Sequence, residues 1–184
     1  YKRSSNIIGD RSFSKNSKIV SEIGDLCIKY FKNNSIGTII KHIPGHGLAK
    51  VDSHHFTPTI HKNFKYLKKH DFKAFQSKKS NFAMTAHVIY KKIDPNNTVT
   101  HSKKLIKIIR NEIKFKNLIL SDDISMNSLK YSIAENTKKA FSAGCNLVLH
   151  CNGNIKEMTL VAENSPKVNP FVLKKTSEFY KYLS

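Results

Sequence analysis

Four short apolar runs, each carrying polar residues at or near its C-terminal end and separated from the next by a helical stretch, constrain the fold more than any other feature of this chain. They read SIGTIIKHI (35–43), NFAMTAHVI (81–89), NLILSDD (117–123) and NLVLHCN (146–152). Ahead of the first, Ile19, Ile23, Cys27 and Tyr30 recur at helical spacing, and a weaker helix runs through Leu67–Phe75. Ser102 stands where a cap belongs, before a helix carrying Leu105, Ile106, Ile109 and Ile113; Ala134 to Ala143 is helical and closed by Gly144. Strands separated by helices pair in parallel through right-handed crossovers, so the class is α/β. Parallel pairing brings the C-terminal ends of all strands to one rim, and the polar residues Lys41, His42, His87, Asp122, Asp123 and His150 fall there. Closed β/α barrels and open doubly wound sheets both place their chemistry at that end, and the alternation alone does not separate them.

A chain of 184 residues can bury its own core, and no repeat, low-complexity stretch or linker divides residues 1–184, so a single domain is expected. The chain opens on Tyr1, and YKRSSNIIGDRSFS has no basic start followed by an apolar run, which reads as the interior of a longer protein rather than a signal peptide. No run approaches the roughly 20 apolar residues that span a bilayer. Cys27, Cys145 and Cys151 are odd in number and lack CxxC spacing, which predicts reduced thiols and a cytoplasmic setting. The formal charge of +19 would suit a nucleic-acid or membrane partner. Yet the lysines are scattered without a basic stripe, and abundant Lys, Asn and Ile together reflect an AT-rich coding sequence, so neither partner is expected.

The densest chemistry lies in KHIPGHGLAKVDSHHF, residues 41–56. A metal site would need His42, His46, His54, His55, His87 and the Asp122–Asp123 pair to converge. Pro44, Gly45 and Gly47 forbid the helix that would bring His42 and His46 to one face, and adjacent aspartates on a strand point to opposite faces, so no metal is expected. An acid/base site fits better. In an extended V-D-S-H, Asp52 and His54 project to the same side, where the carboxylate can fix the imidazole tautomer and raise its pKa. The plainer alternative for any D-x-H is a solvated loop pair.

KHIPGHG, a four-residue spacer, DSHHFTP, then MTAHVIY and LSDDISM, together with IGDRSF and AGCNLVLHCN, resemble the glycoside hydrolase family 3 β-N-acetylhexosaminidases of the bacterial peptidoglycan-recycling type. The likeness weakens after about Asn154. It implies that Asp122, the first aspartate of SDD, is the nucleophile. His54 then replaces the usual carboxylic acid/base, Asp52 orients it, and Lys41, His42 and Arg11 contact the sugar. The implied substrate is a glycoside containing N-acetylglucosamine, cytoplasmic muropeptides among them, with no cofactor. Ile43 stands where an aromatic is usual and Ile124 where leucine is. The family carries roughly half a barrel ahead of IGDRSF, so the resemblance implies the C-terminal half of a (β/α)8 TIM-type barrel, the N-terminal half being expected upstream in the same chain. A histidine acid/base adds no negative charge, which leaves a phosphorylase on the same fold open. From another class, a non-catalytic basic binding protein or a truncated relic remains.

Overall fold

The computed structural model describes residues 12–49, 51 and 56–183. Its helices open where short polar side chains meet unpaired backbone N–H groups. Asn16 accepts from Lys18 N–H at 2.9 Å ahead of α1 (Ser17–Asn33), and Asn63 from Tyr66 N–H at 2.9 Å ahead of α2 (Phe64–Lys69). Ser102 accepts from Leu105 N–H at 3.2 Å ahead of α3 (Lys103–Asn111), and Ser132 opens α4 (Ile133–Ala143). Each such cap contributes about 1 kcal/mol. Gly144 closes α4 at φ 114°, a left-handed conformation, with Ile106 packed 3.0 Å from where a Cβ would stand. Asn154 caps α5 (Ile155–Glu163), and α6 (Pro170–Leu183) ends the chain.

Two parallel sheets run between these helices. β1 (Ile39–Ile43), β3 (Phe82–Thr85), β5 (Leu118–Asp123) and β6 (Leu147–Leu149) are hydrogen-bonded in that order, while β2 (Thr59–Ile60) pairs with β4 (Ile89–Tyr90) in a separate two-stranded sheet. The class is α/β with parallel strands, as the alternation predicts. A monotonic strand order occurs both in a barrel segment and in one wing of an open sheet. The strand expected over 81–89 stops at Thr85. Ala86 N–H still reaches the Ile43 carbonyl at 3.0 Å, but Ile89 N–H turns to Pro58 at 2.9 Å, in the second sheet. Apolar content alone cannot tell one strand from two.

Side chains alternate across the main sheet. Ile40, Ala83, Ile119 and Val148 face the helices and pack with Leu105, Ile106, Ile109 and Ala140. On the opposite face, in register with one another, stand Ile39, Phe82 and Leu118, then Lys41, Met84 and Leu120. Of these Met84, Leu118 and Leu120 are buried, whereas Ile39 on the edge strand is 49 % exposed. α6 covers the N-terminal ends of the strands. Its Phe179 ring meets Phe82 edge-on at 5.0 Å and fills the space beside Gly37, and its Phe171 lies 5.7 Å from the Arg110 guanidinium. The polar rim is therefore left open at the other end.

The apolar stripe expected on α1 is turned. Ile28 is its buried residue, Ile23 and Cys27 are half-buried, and Ile19 and Tyr30 are exposed. A polar anchor ties the helix down: the Lys78 ammonium, with its side chain only 3 % exposed, bonds Asp25 at 2.5 Å and Ser21 at 2.6 Å on the solvent-edge face of α1. Among the described residues no helix is long and apolar enough to cross a membrane.

Candidate active site

Departures from regular pairing build the rim. The β1–β3 register slips between Lys41 and Ile43, and the β5–β6 register slips between Leu120 and Asp123. The Lys41–His42 and Ile43–Pro44 peptide bonds are cis. Just beyond β1, the Tyr90 hydroxyl donates to the Gly45 carbonyl at 2.7 Å, and a Cβ on Gly45 would collide with the Asp71 carboxylate. Only glycine fits there, at φ 154°.

The two aspartates that end β5 have different environments. Asp123 is consumed by the loop: its carboxylate accepts from Ser125 N–H at 3.0 Å, Ser125 Oγ at 2.8 Å and Cys151 N–H at 3.2 Å. Asp122 accepts from Asp123 N–H at 2.9 Å through Oδ1, and its Oδ2 faces His42 Nε2 at 3.4 Å. That separation exceeds a strong hydrogen bond. Alternation on the strand thus gives one carboxylate to the loop and one to the rim.

Burial pushes the His42 imidazole down to about 4, against the upward pull of Asp122; His46, Lys41 and His87 add to the lowering. His42 is neutral at pH 7, so it can donate to Asp122 without cancelling its charge. The His46 ring lies 5.6 Å from that of His42. His87 is fully buried behind the rim, with Nδ1 2.7 Å from Thr100 Oγ1 and Nε2 2.9 Å from the Asp123 carbonyl. Just past β6, His150 Nε2 meets Glu157 at 2.7 Å. Cys151 is exposed beside the aspartates; partial burial, then Asp123 and Asp122, raise its thiol pKa. Among the described residues no three His, Cys, Asp or Glu side chains are grouped so as to hold a metal ion.

A carboxylate held beside a neutral donor at the C-terminal end of a central parallel strand suits nucleophilic attack on an electrophilic carbon. Residues 2–169 match the family model of the glycosyl hydrolase family 3 N terminal domain. The chain belongs to glycosyl hydrolase family 3. A β-hexosaminidase of Nitrosomonas eutropha is 36 % identical over 153 residues, covering 80 % of this chain and 44 % of that protein. Among solved structures, native NagZ from Neisseria gonorrhoeae superposes with a TM-score of 0.84 at 28 % identity, over 98 % of this chain and 52 % of that one. The same protein in complex with N-trifluoroacetyl-D-glucosamine gives 0.83 at 27 % identity, with the same coverage. The chain spans about half the length of the curated relatives it matches.

Of the residues that the family 3 motifs single out, the structure brings His42 and Asp122 together, with Lys41 beside them, exposed on β1. Arg11, Asp52 and His54 lie outside the described residues. The sequence places His87 at the rim, whereas the structure buries it behind the rim with Thr85 and Thr100; those threonines and the Asp71–Tyr90 support of Gly45 carry no such mark in the sequence.

Two half-buried histidines, His42 and His101, make the stability of this family 3 fold sensitive to acid. Burial, with a contribution from His87, also lowers His101 to about 4, while the Asn136 backbone opposes the shift. Because the folded pKa lies below the ordinary value near 6.5, the unfolded chain binds more protons between those limits, and stability falls as pH drops from about 6.5 to about 4. At pH 5 each such histidine costs about 2 kcal/mol. With the chain joined to a family 3 N-terminal half, the urea midpoint is expected to be lower at pH 5.0 than at pH 7.5, and His101→Gln to remove part of the difference. An equal midpoint at the two pH values would contradict the burial of these imidazoles.

Proposed function

We propose that this chain is the C-terminal half of a (β/α)8 barrel in a retaining glycosidase that removes terminal β-linked N-acetylglucosamine. The family, the β-hexosaminidase relatives and the complex of a related NagZ with an N-acetylglucosamine analogue support the substrate class. Asp122 is the nucleophile, and the observation that carries this assignment is that its Oδ2 faces the rim beside His42 while Asp123 is engaged by Ser125 and Cys151. An Asp122 oxygen bonds the anomeric carbon as the bond to the leaving oxygen breaks, and protonated His54, oriented by Asp52, gives that oxygen its proton. Neutral His54 then takes a proton from water, whose oxygen displaces Asp122 from the same carbon. Lys41, His42 and Arg11 hold the sugar hydroxyls. The likeness to recycling enzymes makes cytoplasmic muropeptides the favoured substrates.

Half a barrel leaves two sheet edges without partners and part of the site unbuilt. Residues 1–184 alone are therefore expected to fold marginally, to self-associate, and to release no p-nitrophenol from p-nitrophenyl N-acetylglucosaminide. Joining a family 3 N-terminal half should recover a monomeric, active protein. A monomeric, cooperatively melting chain of 184 residues that hydrolyses this substrate would overturn the half-barrel assignment.

A further inference from the structure

We infer that His87, buried behind the rim, is a positioning residue for the nucleophile: its Nε2–H holds the Asp123 carbonyl and thereby fixes the backbone from which Asp122 projects. The inference rests on Asp122 being the nucleophile. Its geometry is independent of that role.

The hydrogen bonds around His87 allow one polarity. A carbonyl only accepts, so the nitrogen 2.9 Å from Asp123 O carries a hydrogen. Both ring nitrogens meet uncharged partners, and the ring is 0 % exposed, so a second proton would place in the core a charge that neither hydrogen-bond partner neutralises. Nδ1 is then an acceptor, and the Thr100 hydroxyl, 2.7 Å away, donates to it. With its hydrogen spent, Thr100 accepts from Thr85 at 2.8 Å. The relay runs from Thr85 through Thr100 to His87 and ends on the Asp123 carbonyl. Thr85 and Thr100 are 0 % exposed.

The held carbonyl adjoins an irregularity of the sheet, and the Ile124 N–H of the same peptide unit reaches the Leu149 carbonyl at 2.9 Å. The β5–β6 ladder slips between Leu120 and Asp123, so Asp122 sits within an interruption of the sheet pairing. His87 and Met126 N–H, the latter at 3.2 Å, anchor the carbonyl just after it. The Asp123 N–H that binds Asp122 Oδ1 belongs to the same residue, so a shift there turns the carboxylate too. Displacing a reacting group by about 1 Å costs on the order of 10²-fold in rate.

The test uses the chain joined to a family 3 N-terminal half. His87→Leu is expected to lower kcat on p-nitrophenyl N-acetylglucosaminide about 10²-fold with KM within about threefold, and Thr100→Val about tenfold. His87→Gln, whose amide can offer an N–H towards the carbonyl, should restore at least about tenfold of the loss. Unchanged kcat in His87→Leu and Thr100→Val, or loss in KM alone, would overturn the inference, as would no recovery in His87→Gln. Side-chain nitrogen NMR of His87 and the Asp122 carboxyl carbon resonance are read on the same proteins. The expected results are an Nε2–H tautomer, and a carboxyl resonance moved by His87→Leu and returned by His87→Gln. An Nδ1–H tautomer, or a resonance indifferent to all variants, would sink the positioning role even in an active enzyme. A wild type with the expected tautomer and no turnover would instead refute the hydrolase assignment and leave the hold on the carbonyl standing.

Discussion

Asp122→Ala, in the chain completed by a family 3 N-terminal half, is expected to lower kcat by about 10⁴-fold or more with the fold retained, because removing a nucleophile leaves only binding and polar stabilisation of the transition state. The side chain is partly exposed, and its removal leaves the Ser125 and Cys151 contacts with Asp123 in place. Asp123→Ala should behave differently. It deletes those contacts, so its expected phenotype is a loosened loop and lower thermal stability alongside reduced activity. Kinetics and melting of the two variants side by side distinguish nucleophile from scaffold; the reverse assignment of effects would move the nucleophile by one residue.

His54→Ala is expected to separate substrates by leaving group. A proton donated to the departing oxygen is worth about 10²–10⁴-fold, and that help is needed by an alkyl or sugar leaving group but hardly by p-nitrophenolate. The variant should therefore lose most of its activity on N,N′-diacetylchitobiose and much less in the first step on p-nitrophenyl N-acetylglucosaminide. Asp52→Asn should follow the same pattern in milder form, since it loosens the imidazole without removing it. Equal losses on both substrates would count against His54 as the acid.

Local signals made much of the fold legible. Ser102 and Gly144 mark helix ends through their own backbone chemistry, and the apolar runs before Lys41 and Asp122 need only period and composition. What escaped depends on distant partners. Nothing near Ala86 announces that the chain leaves one sheet for another, because the reason is the Pro58 carbonyl that receives Ile89 N–H. The anchoring of α1 depends on Lys78, more than fifty residues away in the sequence. At the site, Lys41, His42, His87 and Asp122 all stand out as polar residues late in apolar runs, but what His87 does depends on Thr100 and a backbone carbonyl. Side-chain alternation anticipated the divergence of Asp122 and Asp123, but which of them meets Ser125 and which meets His42 required coordinates.

The central claim is that Asp122 forms a covalent bond to the sugar, and trapping tests it most directly. The completed protein would be incubated with a slow fluorinated N-acetylglucosamine donor, digested with pepsin at acid pH and sequenced by mass spectrometry. The account predicts one glycosyl ester, on the Asp122 of LSDDISM, absent from Asp122→Ala. A label on Asp123, or turnover of the donor with no labelled peptide, would contradict it.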